Sequence, residues 1–304
     1  MAKRRRTSDR SGWIIIDKPA GWTSHDVVAK VRRIVGERRA GHAGTLDPAA
    51  TGVLPIAIGL ATRTVEYLSG ADKSYRAWVR FGVVTDTGDG DGEVISRGDA
   101  SRLDMELLAP LLDAFRGEIR QRPPAHSAIR IDGARAYQRV RRGEEIEMPE
   151  RSATIHDLTV VAWQPPVLCI DVTCSKGTYI RSIARDLGQA AGSGAFLERL
   201  VRTRTGPFTL DAALSLNELA EALDRGEWSA VSQPSDAVLG HLSTITLVGN
   251  DETAWYQGKP IAVPLAGNAS RTVRAYNAAG NWIGIGIADP MAMSVRPHKV
   301  IPAE

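Results

Sequence analysis

Short apolar runs alternate with turns marked by glycine and proline, and the spacing of apolar positions assigns most elements. Gly12-Trp-Ile-Ile-Ile-Asp17 is a continuous apolar run of strand length, closed by the turn Lys18-Pro19-Ala20-Gly21. Val27, Val28, Val31, Ile34 and Val35 then follow helical spacing. Thr23 or Ser24 can cap that helix, Asp26 stands in its first turn, and Gly36 ends it. A glycine-rich loop, GHAGTLDPAATG, leads into the apolar run VLPIAIG and a short helix near 61–68. Tyr75, Ala77, Val79 and Phe81 alternate with Ser74, Arg76, Trp78 and Arg80, the period of a half-buried strand. The polar stretch TDTGDGDGE reads as a turn; it lacks the twelfth-position glutamate and full spacing of an EF-hand loop.

Further along, the pattern predicts a helix near 104–115, a short hairpin around 131–133 and a helix over 134–142. Strands follow at 152–163 and 167–173, then a helix from 178 to 190 and helical stretches near 194–201 and 216–224. Beyond residue 240 the character changes. The short β-prone runs TITLV, RTVRAY, NWIGIGIA and HKVIP predict a small β-rich domain over 240–304. Residues 1–10 are basic and polar and are expected to form a disordered tail. The body, 11–239, mixes helices and strands without simple βα alternation, so the expected class is α/β or α+β with a mixed sheet.

Composition narrows the function classes. Of 304 residues, 43% are hydrophobic and 24% charged, ordinary for a soluble globular protein. No apolar run approaches the ~20 residues that span a bilayer, and the basic N-terminus has no apolar core for a secretory signal, so the expected location is the cytoplasm. Cys169 and Cys174 stand five apart in one strand-like run, on opposite faces, which predicts neither a disulfide nor a shared metal. The six histidines lack ligand spacing, and no metal is expected.

The net charge of +3 is modest but unevenly spread. Arginines 116, 120, 122, 130, 135, 139, 141 and 142 face only Glu118 and Asp132 within that segment. A second basic cluster is Lys30, Arg32, Arg33, Arg38 and Arg39, and a third Arg199, Arg202 and Arg204. Acids gather elsewhere, at Asp86, Asp89, Asp91 and Glu93. This segregation suits a face that binds a polyanion, and guanidinium forks suit phosphate.

Three segments carry candidate chemistry. In Gly41-His42-Ala43-Gly44-Thr45-Leu46-Asp47-Pro48, glycines allow close backbone approach and Pro48 biases Asp47 toward an extended conformation. Ser175-Lys176-Gly177-Thr178-Tyr179-Ile180-Arg181 lies where a strand gives way to a helix, a common seat for site residues. Lys73-Ser74-Tyr75-Arg76 opens the alternating strand. Taken singly, Asp47 reads as a turn residue, Arg181 as a surface cation and Tyr75 as core.

Taken together the segments resemble the TruB family of pseudouridine synthases. The likeness runs in order from Gly12 to Phe208 through GWIIIDKPAGWTS, GHAGTLDPAATGVLPIAIGLATR, DKSYRA, CSKGTYIRSIARDLG and GAFLERLVRTRTGPF. It implies a mixed-sheet catalytic domain, a PUA-like C-terminal domain, and isomerisation of uridine 55 in the T-loop of tRNA by a stand-alone enzyme. It further implies that Asp47 promotes glycosidic cleavage, that Tyr75 packs on the base and is a candidate for the C5 proton transfer, and that Arg181 pairs with Asp47. Tyr179 and Leu200 are implied as pocket residues, His42 as a residue that holds the flipped-out loop conformation, and Lys18 as a structural element beside the site. The arginine-rich stretch, about 120–145 and including Arg122, Arg130, Arg135, Arg139, Arg141 and Arg142, corresponds to the insertion that clamps the T-stem and loop. The chemistry moves no atoms in or out, so no cofactor is expected, and an adjacent arginine is expected to keep a buried Asp47 charged.

The chain departs from the family pattern at His126, Arg130 and Val201, where Tyr, Lys and Arg are more usual. Two other functions are open at this level: a dyskerin-like enzyme that uses guide RNA and partner proteins on ribosomal RNA, and a silent tRNA-binding folding helper. A monomer without obligate protein partner is the expected form.

Overall fold

The computed structural model describes residues 10–127, 129–131, 133–140, 142–144, 146–263 and 271–302, with backbone alone at 130, 134, 135 and 137. Residues 1–9 of the expected tail and Arg141 therefore lie outside the described residues, as do the side chains of Arg130 and Arg135.

One mixed sheet organises the body. Its strands run in the order Gly12–Lys18, Thr51–Ile58, Ala195–Thr205, Lys73–Phe81, Val167–Cys174, Arg151–Gln164 and Gly117–Gln121. Every joint on that path is antiparallel except one: Thr51–Ile58 meets Ala195–Thr205 in parallel, through Val201 opposite Thr51 and Arg202 opposite Gly52. Gly52 sits at φ +97°, and a Cβ there would stand 2.2 Å from the Arg202 carbonyl oxygen. Only glycine lets the two backbones approach at this seam.

Residues 13–16 of the Gly12–Lys18 strand are all apolar because both faces are covered. Ile14 and Ile16 pack with Val27, Val28, Val31 and Val35 of the helix Ser24–Val35, while Trp13 and Ile15 join Val53, Ala57 and Phe208. That helix has the predicted ends: Thr23 and Asp26 form a reciprocal capping box, and Gly36 takes the left-handed conformation. Helix Ile180–Ala190 covers the sheet centre with Ile180, Ile183, Ala184 and Leu187 against Val79 and Phe81. The alternation read at Tyr75 holds, since Lys73–Phe81 buries every second residue.

One prediction fails. The stretch read as helical near 194–201 is the strand Ala195–Thr205. Register shifts between Leu197 and Arg199, and again between Arg202 and Arg204, mark bulges that shift the alternation. Each bulge inserts a residue, so the apolar positions Leu197, Leu200 and Val201 acquire helix-like spacing within a strand.

A second sheet lies near the C-terminus, in the order Ser243–Leu247, Arg271–Asn277, Trp282–Asp289, Ser294–Val300 and Ile261–Ala262. It closes over Trp255, whose indole donates to the Ile283 carbonyl at 2.9 Å. Ile285 and Trp282 of this sheet pack into the cluster around Trp13, and Lys299 donates to the Arg63 carbonyl at 2.7 Å. No helix among the described residues is long and apolar enough to cross a membrane.

Candidate active site

A cleft of about 730 Å³ opens over the centre of the main sheet, a size in the range of small-molecule sites. Asp47, Tyr75, Tyr179, Arg181 and Leu200, from four separate segments, all line it.

Asp47 stands on a turn built to hold it. The Ala50 amide donates to the Asp47 carbonyl at 3.1 Å, closing a turn in which Asp47 is first and Pro48 second, the positions those residues favour. Three further contacts fix this turn. The Lys18 ammonium, fully buried, donates to the carbonyls of Pro19, Trp22 and Pro48, at 2.9 Å for the last. The Gly21 amide also reaches the Pro48 carbonyl at 2.9 Å. Buried Ser24 accepts from the Leu46 amide at 2.9 Å, tying the loop to the helix that follows the first strand.

Arg181 projects from the first turn of helix Ile180–Ala190, with its side chain 7% exposed against 45% for Asp47. Its Nη2 lies 3.1 Å from Asp47 Oδ2 and its Nη1 3.3 Å from Asp89 Oδ2. The same two nitrogens donate to the carbonyls of His126 (2.9 Å) and Thr87 (3.1 Å), so the fork is fully occupied. Asp89 is a site residue that sequence reading missed. It lies in the polar turn TDTGDGDGE, where Thr87 Oγ1 donates to its Oδ1 at 2.6 Å, and only the fold carries that turn to the cleft.

The ionisation of Asp47 departs from the expectation that Arg181 settles it. Burial pushes the carboxyl above its ordinary value; Arg181 opposes this, Asp89 and Asp91 add to it, and Lys18 opposes it. Arg181 is shared between two carboxylates, which limits what it offers Asp47.

Tyr75 is buried, and its phenol is pushed up by burial against the opposing charge of Arg202, its cross-strand partner. Arg202 was grouped by sequence with a phosphate-binding cluster. It is instead fully buried and donates to the carbonyls of Val53 (2.7 Å), Gly44 (3.0 Å) and Thr45 (3.4 Å). Arg199 of the same cluster lies over the Trp78 ring at 4.5 Å, and Arg204 donates to Ser74 at 3.2 Å. The three do not form one phosphate-binding face: Arg202 is sealed inside the sheet, while Arg199 keeps to the exposed side of the same strand.

Tyr179 caps the helix, and its backbone is gripped by the Gln121 side chain, which accepts from its amide at 2.8 Å and donates to its carbonyl at 2.9 Å. Burial raises its phenol as well. His42 does not line the cleft. Its ring packs edge-on against His25, centroids 5.3 Å apart, and His25 does line it. Burial, with His25 and Arg202 nearby, lowers His42 to about 4, so it is neutral at physiological pH. His25, next to the helix cap, is a second residue that the sequence did not single out.

The arginine-rich stretch is less free than its composition suggests. Arg139 Nε meets Glu144 at 2.6 Å, and Arg120 and Arg122 share Glu150 at 3.6 and 3.8 Å. Glu144 and Glu150, which follow Arg142 in sequence, fold back onto these arginines. The expected hairpin forms, with Arg130–Ile131 against Ala134–Arg135, followed by a helix at Ala136–Val140. Cys169 and Cys174 are both free and buried, and no cluster of metal-ligating side chains occurs among the described residues.

Comparison with known proteins agrees with this architecture. The model of the TruB family pseudouridylate synthase N-terminal domain matches residues 32–180, and that of the tRNA pseudouridylate synthase B C-terminal domain matches 181–239. A relative from Gloeobacter violaceus, named tRNA pseudouridine synthase B, is 49% identical over 254 residues, covering 82% of this chain and 86% of the relative. One of the same name from a Nostoc species is 43% identical over 292 residues, covering 95% and 98%. Among solved structures, an H/ACA RNP bound to a substrate RNA containing 2′-deoxyuridine aligns with a TM-score of 0.72 at 25% identity, over 99% of this chain and 93% of that one. A Cbf5-Nop10-Gar1 complex aligns with the same TM-score at 24% identity and shares the fold. With the family models covering most of the body and relatives this similar over most of the chain, the protein belongs to the TruB family and is a pseudouridine synthase.

Proposed function

We propose that this enzyme converts uridine 55 in the T-loop of tRNA to pseudouridine, as a monomer in the cytoplasm and without a guide RNA. The observation that carries the reading is Asp47, held by Arg181 at 3.1 Å in a cleft whose other walls are Tyr75, Tyr179 and Leu200. Such a cleft suits one pyrimidine removed from its stack, and aromatic contact worth ~1–3 kcal/mol per base offsets the few kcal/mol of unstacking.

In this reading the N1–C1′ bond of the target breaks and its electron pair leaves with the uracil. Asp47 either bonds C1′ or takes the C2′ proton. The uracil then turns and C5 bonds C1′, as the Asp47–C1′ bond breaks or as Asp47 returns the proton to C2′; the C5 proton departs with Tyr75 as its candidate acceptor, and N1 is protonated. Composition is unchanged, so the reaction needs no redox partner. Lys18 and Ser24 serve by holding the Asp47 turn, and His42 by supporting His25 at the cleft wall.

The arginine-rich segment, including Arg122 and Arg142, grips the T-arm in this reading. Residues 11–239 act as the catalytic domain and 240–304 as a PUA-like RNA-binding domain. The names of the bacterial relatives support the tRNA substrate. The H/ACA likeness favours a second reading, in which catalysis awaits guide RNA and partners.

One assay separates them: a T-arm minihelix carrying tritium at uracil C5, incubated with wild type and Asp47→Asn. Rapid tritium release by wild type alone is expected. No release by wild type on the minihelix or on whole tRNA sinks the stand-alone reading, and full activity of Asp47→Asn sinks the assigned mechanism.

A further inference from the structure

Three cations are buried around the cleft floor, and none meets a carboxylate within ion-pair distance among the described residues. Lys18 and Arg202 have no exposed surface, and Lys73 is 8% exposed. Lys18 donates to three carbonyls, Arg202 to the carbonyls of Val53, Gly44 and Thr45, and Lys73 to that of Ala71 at 2.8 Å. The nearest acids favour two of these charges from beyond that distance and have partners of their own: Asp47, acting on Lys18, meets Arg181, and Asp72, acting on Lys73, faces His156 at 3.3 Å.

This arrangement is costly as pure scaffolding. A buried cation without a counter-ion loses its hydration for little return, and neutral amide side chains could donate to the same carbonyls. Burial accordingly lowers all three, Lys18 to about 8, and Arg202 further lowers both Lys73 and Lys18, while Tyr75 favours the charge of Arg202. The long stems do not carry the charges out to water, as lysine and arginine commonly do. The cations are also close together: a Cβ on Gly44 would stand 3.2 Å from Lys73 Cε and 3.5 Å from Arg202 Nη1. Lys73 and Arg202 both line the cleft, and Tyr75 lies beside them, opposite Arg202 across the strands. The cleft thus has two electrostatic sides, Asp47–Arg181–Asp89 and Lys73–Arg202 with Lys18 behind the Asp47 turn.

We propose that Lys73 and Arg202, backed by Lys18, stabilise the pyrimidine anion released when the N1–C1′ bond breaks. This rests on the reading of the cleft as a uridine-isomerising site. The electron pair of N1–C1′ departs onto the uracil ring and its carbonyl oxygens, where the cations offset the charge until C5 returns the pair to C1′. No further reactant is required. The sugar carbon and the pyrimidine are then served by different groups lining one cleft, and the missing counter-ion is the reaction's own transient anion.

The test varies how much the anion needs help. Single-turnover conversion is measured on guide-free T-arm minihelices whose target is uridine or 5-fluorouridine, following loss of the starting nucleoside after nuclease digestion. Fluorine at C5 withdraws electrons and makes the departing pyrimidine a weaker base; with no C5 proton to lose, this substrate stops once C5 has bonded C1′, which still registers as loss of the starting nucleoside. Lys73→Met and Arg202→Gln are expected to lose about 10²-fold in rate on uridine, by analogy with removal of one oxyanion donor. On 5-fluorouridine the loss should be at least ten-fold smaller, with minihelix Kd within three-fold of wild type. A structural role would slow both substrates equally, and equal losses, or no loss, overturn the proposal. Should Arg202→Gln fail to fold, Lys73→Met decides the matter, since its ammonium makes one backbone hydrogen bond. No conversion of either minihelix by wild type overturns the parent reading and this inference with it, an outcome distinct from equal losses.

Discussion

Arg181 binds Asp89 as well as Asp47, reaching the Asp89 carboxylate with Nη1 at 3.3 Å while Nη2 faces Asp47. Asp89 thereby aims the guanidinium and at the same time adds a negative charge that pushes the Asp47 carboxyl up. Replacing it should separate the two effects. Asp89→Asn is expected to lower kcat by about 10–100-fold, the scale of one hydrogen bond to a charged group. It should also move the acid limb of the kcat/KM profile to lower pH, because the carboxylate opposing Asp47 ionisation is gone. A limb shifted upward would show that Asp89 matters to Asp47 only through Arg181.

His42 predicts a pH dependence of stability. Its folded value, about 4, is below the ordinary 6.5 of the unfolded chain, so the native state resists the proton that the unfolded state accepts. Its contribution is complete above pH 6.5 and is lost as pH falls toward 4. Between pH 7 and pH 5 the loss is about 2 kcal/mol at most. Urea unfolding of wild type and His42→Gln at both pH values checks this; the variant should show the smaller drop.

Glu150 predicts the electrostatics of RNA binding. It faces Arg120 and Arg122 at 3.6 and 3.8 Å, and all three side chains are well exposed. Releasing it should free two cations for phosphate. Glu150→Gln is expected to bind a T-arm minihelix about 2–5-fold more tightly at 0.15 M salt. Wild-type affinity itself should fall ~10³-fold between 50 and 200 mM salt if six or more phosphates are contacted. Near-flat binding over that range would remove the electrostatic grip from the proposed function.

Gly52 predicts a backbone limit. With φ at +97° and a Cβ bound to strike the Arg202 carbonyl oxygen at 2.2 Å, Gly52→Ala has no accessible conformation at the parallel seam. A loss of at least ~2 kcal/mol in stability is expected, with tritium release falling as the Asp47 loop shifts. The urea midpoint reads the first directly.

Much of this protein is determined by local pattern. The capped helix Ser24–Val35 is marked out by its own valines, its Thr23–Asp26 box and Gly36. The alternation through Lys73–Phe81 puts Tyr75 on the buried face whatever its neighbours are. Asp before Pro in a glycine-rich loop sets the turn that presents Asp47, and the order of the motifs places the chain in its family. The signals for these features lie among residues close in sequence, so the sequence by itself announces them, although contacts such as that of Lys18 with Pro48 hold the Asp47 turn in place.

Tertiary structure decided the rest, because the forces involved act between segments far apart in the chain. The strand Ala195–Thr205 carries a helical spacing that only its bulged pairing with Lys73–Phe81 explains. Asp89 looks like any turn acid until the fold sets it against Arg181, 92 residues on. Arginine is the same letter whether it is solvated, paired or sealed in a sheet. Arg139 and Arg202 read alike in sequence, yet one meets Glu144 near the surface and the other has no exposed surface beside Tyr75. Burial and distance determine what a charge does, and neither exists until the chain has folded.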